Sequence, residues 1–261
     1  RKIDGLKKYM ENIQSVIDRF LEFRKTVKNH RYESWEHCYS QFQSHIRKEN
    51  LSDQKEDNLA LHLAFYLASW GMYRGSSFLL QRDYKVLIPI VRILFKSGKH
   101  FNDKRLTIIL NSEAQIGFKE YVDDYFDLDT LLLNELETIR FGVKGKIDNE
   151  VSYTLRTKIL LGTLGCIPAY DRFFKDGIKL NGDIALIQSY SENGLKKLME
   201  FSRSNITSIK EAQETINKLG FEEGYPMMKI IDMYFFQLGL EKDKKEKEEE
   251  KAEKTRLNKK Q

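Results

Sequence analysis

Residues Leu59 to Trp70 read LALHLAFYLASW, a run in which only His62 and Ser69 are polar. It holds neither glycine nor proline and shows no alternation of apolar and polar side chains, so it reads as a helix. Because it is apolar nearly all round, it suits a central helix enclosed by others. The pattern on either side extends that reading. Upstream, Leu6, Tyr9, Met10, Ile13, Val16, Ile17, Phe20, Leu21 and Val27 recur at three- and four-residue steps, the stripe of a long amphipathic helix starting near Asp4. Trp35, Cys38, Tyr39, Phe42 and Ile46 mark a second helix with Ser34 as its N-cap. Downstream, similar spacing predicts helices over 84–97, 103–110, 112–126, 129–141, 149–164, 169–179, 183–202, 208–219 and 227–238. Gly98, Gly142, Gly145, Gly177, Gly220 and Gly239 stand where helix ends are expected, since glycine adopts the left-handed conformation that stops a helix. The expected fold is all-α: a compact multi-helix bundle over residues 1–240, as one domain or two packed lobes with a cleft between them. Residues 241–261 form a charged tail, a solvated helical extension or a disordered end.

Composition narrows the function classes. The chain has 261 residues, 44 Lys+Arg against 39 Asp+Glu, and a formal net charge of +5. The tail holds 9 basic and 7 acidic side chains, so the body is nearly balanced and net charge alone does not indicate a nucleic-acid partner. No apolar stretch approaches the roughly 18 residues that span a bilayer, so no membrane partner is expected. Arg1 to Asp4 lead into no continuous apolar segment of the kind a secretory leader carries, and the chain is assigned to the cytoplasm. Cys38 and Cys166 both sit in apolar helical patterns and read as reduced, packed thiols. The five histidines show no ligand spacing with them, and Asp123, Asp124, Asp127 and Asp129 lack the glycine and final glutamate of a calcium loop. Those aspartates read as a solvated acidic turn or helix end. No metal and no cofactor are expected, and no glycine-rich phosphate loop with a lysine is present.

Two segments carry the side chains for chemistry. In Tyr66 to Phe78, Arg74, Ser76 and Ser77 interrupt an apolar run. A buried arginine without a partner costs several kcal/mol, so Arg74 is expected to meet a carboxylate, carbonyls or a phosphate. Trp70, Tyr73 and Arg74 then suit the mouth of a cleft, where an aromatic face and a guanidinium hold a planar base. In Tyr153 to Phe174, a helix ends near Gly165, Pro168 suits the opening of the next, and Asp171 falls in its first turn. A carboxylate there complements the helix dipole. It also lies among Tyr170, Arg172, Phe173 and Phe174, where it is placed to stabilise positive charge facing a cavity, and Lys158 on the preceding helix either approaches the same place or is a surface lysine, the commoner case.

The order of a helix bearing Thr157-Lys158, a short glycine- and proline-containing connection, and Tyr170-Asp171-Arg172 resembles the helix-hairpin-helix DNA glycosylase superfamily, over residues ~140–180 and the last helix. These all-α hydrolases flip a damaged or modified base out of DNA and cut its N-glycosidic bond. The resemblance implies Asp171 as the catalytic carboxylate and Lys158 as an amine nucleophile for a lyase step. Asp232, in the run Pro226 to Gly239, resembles the acidic residue that precedes aromatic ones in the closing helix of some members; its other roles are a cap or a pairing with Arg74. The sequence departs from the family in its turn. The glycine-hydrophobic-glycine element stands directly before the lysine there, whereas its nearest counterpart here, Gly142 to Gly145, lies upstream of a whole helical stretch. The iron-sulfur cysteines of some members are absent from the sequence.

The expected function is DNA binding with base excision at Asp171. Tyr170 or Tyr73 stacks on the extruded base, and Lys144, Lys146, Lys158, Lys175 and Lys179 hold phosphates. The alternative is a helical protein-protein interaction module without catalysis, in a setting such as a bacterial defence system. Its partner would be met by the first helix or the charged tail.

Overall fold

The computed structural model describes residues 12–46, 51–112, 117–141, 150–180, 189–221 and 223–258. Among them the regular structure is helical throughout: α1 (Ile13–Thr26), α2 (Glu33–Ile46), α3 (Asp53–Ser69), α4 (Ile88–Ser97), α5 (Asp103–Asn111), α6 (Phe118–Phe141), α7 (Tyr153–Thr163), α8 (Arg172–Lys179), α9 (Glu192–Ser204), α10 (Ile206–Asn217) and α11 (Met227–Asn258). The all-α expectation holds. One continuous apolar cluster joins the helices, from Ile13 on α1 to Leu238 on α11.

Local capping explains several boundaries. The Asn12 side chain accepts from the amides of Gln14 and Ser15 and starts α1 at Ile13 rather than near Asp4, which lies outside the described residues. Ser152 and Ser191 cap α7 and α9 in the same way, through the amides of Leu155 and Gly194. Asp171 is the N-cap of α8 and accepts from the Phe174 amide at 3.1 Å, so it stands just before the helix and not within its first turn. Pro168 falls in the connector before that cap, whereas Pro89 opens α4.

Three expectations are corrected. The central helix α3 is not enclosed on all sides: Leu61 and Phe65 are 49% and 58% exposed, on a face that also carries Gln54, Asn58 and Ala68. Its apolar composition is real, but only Leu59, Leu63, Tyr66 and Leu67 with the alanines at 60 and 64 turn inward. The acidic stretch at 123–129 is neither a turn nor a helix end, because α6 runs through it unbroken. Asp123 pairs with Lys119, Asp124 with Arg105 and Asp129 with Arg156, while Asp127 is exposed. Finally, Gly177 and Gly239 lie inside helices, at the crossing of α8 and α11. A Cβ on Gly177 would overlap the Phe235 carbonyl, and one on Gly239 the Phe173 carbonyl. Glycine here permits backbone-to-backbone approach, which a side chain would forbid.

The boundary at residue 240 is crossed by a single helix. α11 spans 32 residues from the core into the charged tail, and Arg19–Glu241 (2.8 Å) and Arg172–Asp243 (2.9 Å) fasten the first part of that tail to the body. From Lys244 to Arg256 it is exposed.

Candidate active site

The end of α3, the middle of α7, the N-terminus of α8 and the first turns of α11 meet around four charged side chains. Lys158 is 6% exposed in its side chain, with Nζ 3.5 Å from Asp171 Oδ2 and donating to the Trp70 carbonyl at 3.2 Å. The same ammonium lies 5.6 Å from the centre of the Trp70 ring. Beside this pair, Asp232 accepts from the Ala169 amide at 2.9 Å with one oxygen and from Lys229 Nζ at 2.9 Å with the other. Asp171 in turn donates its own amide to the Ala169 carbonyl at 2.8 Å. The 169–171 connector is thus held from α11, and Asp171 has one oxygen on its helix cap and one toward Lys158.

Burial sets the electrostatics. Desolvation pulls the Lys158 ammonium below its ordinary value, opposed by the attraction of Asp171 and Asp232. Burial raises the Asp232 carboxyl, with Lys229 lowering it and the negative charge of Asp171 raising it further. Because the folded protein holds the Lys158 proton less tightly than the unfolded chain, the native state binds fewer protons between the lowered value and 10.5, and stability rises with pH across that window. Lys158→Met lacks this contribution. The free-energy gap between native protein and variant, from urea unfolding at a series of pH values from neutral toward about 10, therefore moves in favour of the native protein as pH rises. A flat or opposite trend contradicts the burial argument.

Between these groups lies a cavity of about 10 Å³ in reach of a water centre, lined by Tyr66, Trp70, Lys158, Asp171, Asp232 and Phe236 among others. That is room for about one water. In its present shape the cavity does not hold a base.

Of the residues singled out from the sequence, Lys158, Asp171, Trp70 and Asp232 come together, and the rest do not. Arg74 is exposed and unpaired among the described residues, contrary to the buried arginine expected. The turn after α3 carries left-handed glycines, Gly71 (φ +77°) and Gly75 (φ +61°), and these swing the segment outward so that the guanidinium lies back over Gly71. Arg74 lines a different and wider cavity, about 540 Å³, with Ser76, Ser77, Glu150 and Ser152. Asp232 pairs with Lys229 and not with Arg74. Tyr170 is 1% exposed and packs on Phe174 and Tyr190 in the core, away from Trp70, so it offers no face to a ligand. Tyr73 is half-buried and its hydroxyl lacks a partner among the described residues. Arg172 is exposed, on Asp243 and 4.4 Å over the Phe173 ring. Lys175 meets the Tyr153 hydroxyl and ring, and Lys179 meets Asp176. Lys144 and Lys146, with the Gly142 to Gly145 element, lie outside the described residues. The residue missed is Lys229, which the sequence signals through a Lys-x-x-Asp pair at helical spacing inside the otherwise apolar MMKIIDMYFF.

Searches of family models, of curated proteins and of solved structures match nothing to this chain. Among the described residues, no helix is long and apolar enough to cross a membrane, and no group of three or more His, Cys, Asp or Glu is placed to hold a metal.

Proposed function

We propose that this chain is a DNA-binding base-excision protein in which Asp171 and Lys158 act on the N-glycosidic bond of a damaged or modified base. The observation that supports the reading is the buried Lys158–Asp171 pair beneath the Trp70 ring, braced by a second buried pair, Lys229–Asp232. Functional sites are where burial and a specific charge partner are arranged together on titratable groups in a cleft. When the bond breaks, the base leaves with the electron pair and the sugar carbon becomes cationic. The Asp171 carboxylate opposes that charge, while water or the Lys158 amine adds to the carbon and the proton it loses neutralises the departing base. Lys158, with its lowered ammonium, reaches the amine form more readily than an exposed lysine. Base entry requires Trp70 and the Arg31 side chain, 4.9 Å from its ring, to swing outward from the one-water cavity.

Base release from duplexes carrying a panel of damaged and modified bases tests this. Asparagine caps helices about as well as aspartate, so Asp171→Asn removes the charge and keeps the α8 cap. Release is expected from the native protein and is expected to fall on the order of 100-fold or more in the variant. No release by either, or equal release by both, removes the proposal.

The size of the cavity favours a second reading, a non-catalytic helical module that meets a protein partner, for instance in a bacterial defence system. The exposed part of α11 beyond Asp243 supplies a surface for it. A stable complex on gel filtration with light scattering, from a protein without DNA affinity at low salt, supports this reading over the first.

A further inference from the structure

A row of aromatic side chains passes the Lys158–Asp171 cavity, which two of its members, Trp70 and Phe236, line. Phe23 at the end of α1 meets Tyr32 with ring centres 6.0 Å apart, Tyr32 meets Trp70 at 5.5 Å, Trp70 meets Phe236 at 5.8 Å, and Phe236 meets Phe173 at 5.2 Å. The members come from α1, the α1–α2 connection, the turn after α3, α11 and α8. No single helix periodicity produces such a line. Nor is it simply core: Phe23 is 39% exposed, and Tyr32, Trp70 and Phe173 are half-buried, with Phe236 beneath them. Two exposed arginines lie on it, Arg31 4.9 Å from the Trp70 ring centre and Arg172 4.4 Å from that of Phe173. Each guanidinium adds a planar stacking surface and a fork for a phosphate. Arg172 is shared with Asp243, whereas among the described residues Arg31 has only the ring.

From this arrangement we propose that the row from Phe23 to Phe173 is a binding track for single-stranded DNA. Unpaired bases stack on the accessible parts of Phe23, Tyr32, Trp70 and Phe173, over buried Phe236, and the two arginines meet the backbone, the combination by which strands are held without sequence preference. Neighbouring rings in the row meet at 45° to 84° and not as parallel plates. They suit bases splayed apart and not a continuous stack. The track has room for on the order of four nucleotides. The assignment of the strand as DNA rests on the base-excision reading; the stacking surface itself does not depend on any chemistry at Asp171.

The test uses the full chain and a fluorescently labelled oligodeoxythymidine of roughly 12 nucleotides, which pairs with nothing and carries no lesion. Anisotropy at low salt is expected to show binding that weakens as salt rises. Emission from Trp70 is expected to be quenched, with buried Trp35 as a constant background. Phe23→Ala and Arg31→Ala alter exposed side chains, and each is expected to weaken binding about fivefold or more, with the double variant weaker still. Ile108→Ala, at a position 71% exposed and outside the row, serves as the control and should bind as the native protein does. Absence of binding at low salt overturns the proposal, as does equal affinity in the Phe23 and Arg31 variants. A duplex that competes as well as the single strand overturns it too, and an oligouridine that binds more tightly overturns the assignment to DNA. Binding without base release in the duplex panel leaves the track and removes the base-excision reading. Base release without oligodeoxythymidine binding does the reverse.

Discussion

Gly177→Ala unfolds at a temperature lower by several degrees, although alanine is the better helix former. Within α8 the exchange would ordinarily stabilise by about 1 kcal/mol, because alanine loses less backbone entropy than glycine on folding. At this position the added methyl falls on the Phe235 carbonyl, part of the α11 backbone and unable to move aside as a side chain would. The two helices must separate, and every contact along their crossing loosens. Overpacking of this kind costs about 3 kcal/mol, exceeding the propensity gain. For a chain of this size the net loss corresponds to a fall of roughly 4–8 °C, followed by circular dichroism. A variant as stable as the native protein shows that α8 and α11 do not touch backbone to backbone. The effect also carries functional information, since Asp171 caps α8 and α11 carries Asp232. A wedge at Gly177 shifts the two carboxylates relative to each other.

Asp129→Asn is expected to cost about 3–5 kcal/mol of unfolding free energy, measured by urea denaturation at neutral pH. Asp129 and Arg156 form a forked pair, Nε to Oδ1 at 2.7 Å and Nη2 to Oδ2 at 3.0 Å, with side chains 6% and 10% exposed. The remaining Arg156 nitrogen, Nη1, donates to the Val151 carbonyl at 3.1 Å. Asparagine keeps the shape and removes the charge, so the guanidinium stays buried without a counter-ion. Most of the loss comes from that stranded charge and not from the bonds themselves, because a buried pair roughly repays its own desolvation. Replacing both residues, Asp129→Leu with Arg156→Met, is accordingly expected to recover much of the stability lost in the single variant. If the double variant is as unstable as the single one, the pair is worth more than its desolvation and this accounting is wrong.

The helices were legible because burial imposes a period of three to four residues on Val16 to Leu21 or Trp35 to Phe42, whatever the neighbours are. What the period does not carry is which side of a helix has a neighbour. Leu61 and Phe65 belong to the same apolar run as Leu63 and Leu67, yet face outward. The glycines carry a second ambiguity. Gly177 and Gly239 are indistinguishable in one dimension from glycines that end helices, since stopping a helix and letting another pass close by both call for a missing side chain. At the site, Asp171 was legible as a charge set among aromatic side chains, where burial makes a partner obligatory. The identity of that partner was not. Arg74 satisfied the same sequence criterion and is exposed, because two left-handed glycines turn its segment outward. Tyr170 neighbours Asp171 along the chain, but their side chains diverge at the connector, one into the core and one toward Lys158.

The placement of α1 constrains the order of events during synthesis. Its apolar side, Val16, Ile17, Phe20 and Leu21, packs chiefly on α10 and α11, and its Arg19 reaches Glu241, 222 residues further along the chain. At about 5–20 residues per second, the surface that covers α1 is made roughly 10–45 seconds after α1 itself. For that interval the apolar side of α1 lacks its cover from α10 and α11, so it is fully buried only after α11 has left the ribosome. A helix made early in this stretch of chain is thus buried late.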